Sequence, residues 1–173
     1  RFFSMTHSLF SYLRPDLVLF SHASAAREIL QQLIEQGHLK GVIPDSSHFY
    51  RAILEREKIV STAVGMGVAI PHAKQVQLSH FFVIIGILQH PIDWQAEEEE
   101  PLTTPHLEKP FKIPSCSHPE VSLIFLVGGP DDRQTEYLQL LSNLTRAIRE
   151  EKIYKKLLTT TSPQAVIDLF KDF

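Results

Sequence analysis

Cysteine is almost absent from this 173-residue chain: a single one, Cys116, excludes an internal disulfide and fits a reducing, cytoplasmic compartment. A strong charge of either sign is missing too. The net charge is −3 with histidine neutral, so the chain lacks the basic balance typical of nucleic-acid binders. No uninterrupted apolar run reaches the roughly 18 residues that span a bilayer, and no membrane insertion is expected. The N-terminus shows no charged, apolar and cleavage-site succession of a signal peptide, and it does not begin with methionine. Residues 1–10 are expected to be a tail or an appended remnant. No internal repeat is visible. What is present is ordinary, with 43% hydrophobic and 21% charged residues, in a length that suits one domain with a sizeable core.

The hydrophobic pattern alternates between two kinds of element. Leu17 to Phe20 reads as a strand after Pro15. Ser24 opens a helical pattern with Ile29, Leu30, Leu33 and Ile34 on one face and Gly37 as its stop. Asp45 or Ser46 caps a second helix, with Phe49, Ile53 and Leu54 inward and an end near Glu57. Ser61 to Gly67 reads as a loop of small residues, followed by a short strand, Val68 to Ile70, that Pro71 stops. Phe81 to Leu88 and Val121 to Val127 are continuous apolar runs, the signature of strands covered on both faces. Asp131 with Gln134 suggests a capping box ahead of a helix with Leu138, Leu141, Leu144, Ala147 and Ile148 inward. A short helix follows around Ile153, Leu157 and Leu158, and Ser162-Pro163 begins the last one. Strands alternating with helices predict an α/β layered fold.

Residues 93–119 stand apart. They hold the run Glu97–Glu100 and prolines 101, 105, 110, 114 and 119, without periodicity. A stretch of this length inside a compact domain reads as a solvated insertion. A lid or a partner-binding segment is the functional alternative.

The richest chemistry lies in Gly65-Met66-Gly67-Val68-Ala69-Ile70-Pro71-His72-Ala73-Lys74. A strand that ends at proline projects the next residue, His72, from a strand end into a loop, where ligands of α/β sheets tend to sit. Gly65 and Gly67 would let backbone approach an incoming group closely. Imidazole is a nucleophile near neutral pH when one nitrogen is unprotonated. Arg56 and Lys74 could supply positive charge for a phosphoryl group. Taken alone, such a histidine is more often a structural or surface residue, and a loose Gly-x-Gly is common.

The longer stretch from Leu54 to Lys74 contains Arg56-Glu57, Ser61-Thr62, Gly65-Met66-Gly67 and Ala69-Ile70-Pro71-His72. It resembles the active-site signature of the type-2 EIIA domains of the phosphoenolpyruvate-dependent phosphotransferase system, the fructose, mannitol and nitrogen-regulatory class. The resemblance covers residues 11–173 apart from the insertion at about 93–119. It implies a single domain with a mixed β-sheet flanked by α-helices on both faces. It implies His72 as phosphoacceptor and Arg56 as the group that binds phosphoryl oxygens. Ser61, Thr62, Gly65, Gly67 and Lys74 would line the substrate site. For Ser61 and Thr62 local loop bonding is an equal alternative, and for Lys74 plain solvation is. The family's second histidine, at the start of the long helix, is replaced by Tyr137. A tyrosine hydroxyl donates a hydrogen bond but carries no positive charge at neutral pH.

The implied partners are a phosphorylated HPr-type carrier and either an EIIB domain or a regulated target protein, with a homo-oligomer also allowed. The leading reading is a stand-alone nitrogen-regulatory EIIA needing no cofactor and no metal. A non-phosphorylated interaction module with the same fold is the alternative. A metal-dependent hydrolase built on His72 and the insertion's histidines is a third. His106, Cys116 and His118 match no standard zinc spacing, and His80 and His90 are expected at the surface.

Overall fold

The computed structural model describes residues 7–95 and 119–173. Residues 1–6, the glutamate run, His106, Cys116 and His118 lie outside the described residues, and so do the expectations attached to the insertion's residues; of the tail expected over 1–10, the end is packed onto the domain, with Leu9 buried in the core and Phe10 N donating to Phe173 O at 3.4 Å.

Six strands form one sheet: β1 (Val18–Ser21), β2 (Ala63–Gly65), β3 (Val68–Ala69), β4 (His72–Lys74), β5 (Phe82–Asp93) and β6 (Glu120–Gly129). Among the described residues five α-helices cover it: α1 (Ala26–Leu39), α2 (Ser46–Ile59), α3 (Gln134–Ile148), α4 (Glu151–Thr159) and α5 (Pro163–Asp168). The strand order is β1-β5-β6-β3-β2, with β4 also on β6. β5 and β6 are antiparallel, whereas β1 lies parallel to β5, and β3 and β4 lie parallel to β6. The sheet is therefore mixed, as expected.

The two long apolar strands are buried on both faces because each alternates its side chains between two cores. Val83, Ile85, Ile87, Leu123, Phe125 and Val127 face the layer of α3, α4 and α5. Phe82, Ile84, Leu88, Ile124 and Leu126 face α1 and α2. The β5–β6 pairing continues beyond Leu88, through a register shift, to Ile92 opposite Val121 and Asp93 opposite Glu120. Trp94 is buried and donates its backbone N–H to Pro119 O at 2.9 Å. The segment expected to depart at Asp93 thus leaves a paired stem after Trp94.

Several local expectations give way to packing. Gly37 does not stop α1. It lies inside the helix, where a Cβ would come within 2.6 Å of both Ile43 Cδ1 and Ile84 Cδ1. The turn falls at Gly41, with φ +80°. Ser24 does not open α1, which begins at Ala26; its backbone N–H instead donates to Glu28 Oε2 at 3.1 Å. Asp131 and Gln134 form no capping box: Gln134 is already the first residue of α3, and no side chain caps it. The buried face of α3 carries Tyr137, Leu140 and Leu144, leaving Leu138 54% exposed. Asp45 and Ser162 do cap their helices, accepting from His48 N at 3.0 Å and Ala165 N at 3.4 Å. Of the residues expected as a loop from Ser61 to Gly67, Ala63–Gly65 instead form β2 and Met66 and Gly67 make a tight turn into β3, while Ser61 and Thr62 stay in the loop.

Candidate functional site

His72 does not project into a loop. It is the first residue of β4, paired with Val127 of β6. Proline explains the layout. Pro71 has no N–H to offer, so the pairing of β3 with β6 breaks there. Its carbonyl still accepts Val127 N at 2.9 Å, and pairing resumes as β4. Among the described residues β4 pairs with β6 alone. His72 therefore sits half-buried at a sheet edge, where the last turn of α2 and the first turn of α3 both reach it. Along β4, His72 and Lys74 share one face, and Ala73 enters the opposite core.

Both ring nitrogens of His72 are engaged. Nδ1 lies 2.8 Å from Ile70 O. A carbonyl oxygen only accepts, so Nδ1 carries the proton and Nε2 is left with its lone pair. That lone pair accepts from Arg56 Nε at 3.2 Å. Arg56 is held in turn by Val60 O, which accepts from Nη1 at 2.9 Å. Burial lowers the basicity of the imidazole below its ordinary value. The bond to Ile70 O and the Glu57 charge oppose this shift, while Arg56 and Lys74 reinforce it. The ring is thus kept neutral, with a defined tautomer.

Tyr137, from the first turn of α3, lies beside the imidazole with ring centroids 5.9 Å apart. It stacks on Phe81 at 6.0 Å. Burial pushes its hydroxyl up to about 12, against a small opposing effect of Arg56, so it remains protonated at neutral pH. Lys74 Nζ sits 4.8 Å from the Tyr137 ring centroid and donates to Gln134 Oε1. His72, Arg56, Lys74 and Tyr137 are therefore brought together from three elements.

The remaining residues picked from the sequence divide. Thr62 is buried, and its hydroxyl and N–H both donate to Glu57. Ser61 accepts from Ala63 N at 3.2 Å. Both thus show local loop bonding, and neither bonds to His72. Gly65 and Gly67 are not brought to the imidazole. They form the β2–β3 turn with Met66, all three at positive φ, and Gly67 O accepts from Ser122 N at 2.8 Å. Val68 pairs with Leu123 whereas His72 pairs with Val127, a separation of four residues or about 13 Å along β6. These glycines serve the turn, and Gly67 also gives room to Tyr154 Oη, 2.7 Å from where its Cβ would stand.

Glu57 and Gln134 carry contacts that the sequence reading did not assign. Glu57 had a signal: it continues the stripe Phe49–Ile53 at four-residue spacing, which puts a carboxylate on the buried face of α2. His80 and His90 are exposed, as expected. Among the described residues no group of three metal-ligating side chains is placed to hold an ion, and no helix is long and apolar enough to cross a membrane.

Comparison with known proteins places this geometry in a family. Residues 11–104 and 102–173 match the family "Phosphoenolpyruvate-dependent sugar phosphotransferase system, EIIA 2". A nitrogen regulatory protein of Bradyrhizobium diazoefficiens is 32% identical over 117 residues, covering 68% of this chain and 64% of the relative. A fructose-specific EIIABC component of Bacillus subtilis is 25% identical over 141 residues, 82% of this chain but 19% of the relative. The chain thus spans less than two thirds of the length of either relative. The nitrogen regulatory protein IIA-Ntr of Neisseria meningitidis has the same fold, with a TM-score of 0.74 at 21% identity, covering 94% of this chain and 99% of that one. With the family pattern spanning both halves around the His72 edge, the chain belongs to the EIIA type-2 family of the phosphoenolpyruvate-dependent sugar phosphotransferase system.

Proposed function

We propose that this chain is a phosphocarrier of the phosphotransferase system that accepts a phosphoryl group on Nε2 of His72. The observation that carries the reading is the fixed tautomer: Ile70 O holds the Nδ1 proton, and the Nε2 lone pair faces the Arg56 guanidinium. In the transfer, the Nε2 lone pair forms the new N–P bond. The phosphorus–carrier bond breaks, and its electron pair stays with the carrier. Nδ1 keeps its proton throughout, so no base is needed. Arg56 would release Nε2 and turn its N–H groups to the phosphoryl oxygens, a charge-assisted contact. Lys74 supplies a second positive charge on the same face. Burial helps by keeping the ring neutral at pH 7.

The donor would be a phosphorylated HPr-type carrier. The acceptor would be an EIIB domain or a regulated target. Among EIIA branches we favour the nitrogen-regulatory one, on the likeness to the Bradyrhizobium protein. The second reading, a regulatory interaction module without phosphate chemistry, rests on Tyr137 standing where the family's second histidine is expected. Incubation with phosphoenolpyruvate, enzyme I and HPr, followed by detection of acid-labile phosphate, separates the two. Label on wild type that disappears in His72→Ala supports the phosphocarrier. An unlabelled wild type favours the interaction module, and label persisting in His72→Ala refutes the site.

A further inference from the structure

Glu57 is 6% exposed. A carboxylate is costly to bury unless donors satisfy it, and here three do. Thr62 N donates at 3.1 Å, Thr62 Oγ1 donates to the other oxygen, and Trp94 Nε1 donates at 3.4 Å. None of these donors belongs to α2. The chain leaves the helix extended at Val60, with φ −155° and ψ 136°, and Glu57 catches it again at Thr62.

Two routes lead from this clasp to the imidazole. Closing residues 60–62 against the helix end presents Val60 O to Arg56 Nη1, which aims Arg56 Nε at His72 Nε2. On the other side, Thr62 O accepts from Ile70 N at 3.0 Å, fixing the residue whose carbonyl takes the Nδ1 proton at 2.8 Å. The charged groups that act on the imidazole are Arg56 and Glu57 from α2 and Lys74 from β4, with neutral Tyr137 from α3. Glu57 is the negative one among them.

We propose that Glu57 is a positioning residue for His72, fixing its Nδ1–H tautomer and its Arg56 contact through one buried carboxylate clasp on Thr62. The proposal rests on the phosphoacceptor reading only for its consequence in transfer. A glutamine at 57 would keep the shape, but its NH2 would face Thr62 or Trp94, donor against donor.

The test uses Glu57→Gln in the full chain, with Thr62→Val as a second variant that removes only the hydroxyl donor. In the unphosphorylated protein, NMR of the His72 ring nitrogens reads the tautomer and the titration midpoint. Expected are a mixed tautomer and a lower midpoint in Glu57→Gln, and a mixed tautomer in Thr62→Val. Labelling through HPr should slow about 10- to 100-fold, the scale of an ångström's misplacement of a reacting group, with the KM for phosphorylated HPr little changed. If Glu57→Gln does not fold, the Thr62→Val tautomer decides. A wild-type tautomer in the folded variants overturns the proposal. The ring-nitrogen signals need no phosphate, so failure of wild type to label would count against the phosphoacceptor reading and leave the positioning result standing.

Discussion

Replacing Arg56 by alanine pits two effects against each other. Burial is the main cause of the lowered basicity of His72, and the Arg56 charge adds to it. Removing the guanidinium therefore makes the imidazole more basic and frees its Nε2 lone pair from the 3.2 Å contact. On basicity alone, Arg56→Ala would be the better nucleophile. On the proposed reading, against this stands the loss of the group that would meet the phosphoryl oxygens. A hydrogen bond to a charged group contributes about 1.5–3 kcal/mol. At about 1.4 kcal/mol per tenfold in rate, its loss slows phosphoryl uptake about 10- to 150-fold. The second effect wins, because the gain in basicity acts on a ring already neutral at pH 7. The assay is the initial rate of acid-labile labelling of His72 from phosphorylated HPr, with the His72 titration followed by NMR in the same variant. Expected are a higher titration midpoint and a slower rate. Arg56→Lys should fall between, keeping charge without the planar fork that reaches both Val60 O and Nε2. An Arg56→Ala variant that labels as fast as wild type would refute the role given to the guanidinium.

Tyr137→His places a group able to carry charge beside His72, and should speed transfer onward to an EIIB acceptor by about tenfold, the difference between charged and neutral hydrogen bonds; an unchanged rate argues against a deficit at that position. The folded imidazole of His72 titrates below its ordinary value of 6.5, so the unfolded chain binds more protons just below that pH and stability falls as pH drops from about 6.5. Urea unfolding from pH 7 to 5 should show a shallower decline in His72→Gln than in wild type, and parallel curves would contradict the burial argument. Gly67→Ala forces a Cβ at φ +77° against Tyr154 Oη, 2.7 Å away, costing about 1–2 kcal/mol, or about 2–8 °C in Tm for a chain of this size. Its labelling rate at a temperature where it is folded should match wild type, and a loss there would return Gly67 to the site.

The layers were legible from the sequence because they follow from composition along short runs. Continuous apolar stretches at 82–88 and 121–127 can be buried only between two covering layers, and both cores are there. The caps Asp45 and Ser162 are local chemistry and could be read locally. What escaped depended on distant partners. Gly37 looks like a helix stop until Ile43 and Ile84 occupy the space of its missing Cβ. Pro71 looks like the end of a strand, yet its carbonyl still bonds Val127 and the chain re-pairs at once, because β6 is ten residues long and extends past it. The same limit misplaced Gly65 and Gly67. They are seven and five residues from His72 in sequence, but β3 carries them to its far end. Arg56, sixteen residues away, is in contact.

On the proposed reading, the charges around His72 bear on how long it would keep a phosphoryl group. A histidine beside it could change its protonation as phosphate arrives and leaves, near neutral pH. Tyr137 cannot, with its hydroxyl pushed up to about 12. The lasting positive charge comes instead from Arg56 and from Lys74, parked over the Tyr137 ring and on Gln134. Groups that stay charged throughout stabilise the phosphorylated histidine as well as the transition state that forms or cleaves it. Binding both alike lowers the energy of the carrier state without lowering the barrier out of it. Such a site takes up phosphate readily and gives its release no matching acceleration. That balance suits a phosphorylation mark read by a regulated partner better than a relay turned over with every transported sugar, and it follows from one aromatic ring standing where an ionisable one would serve the relay.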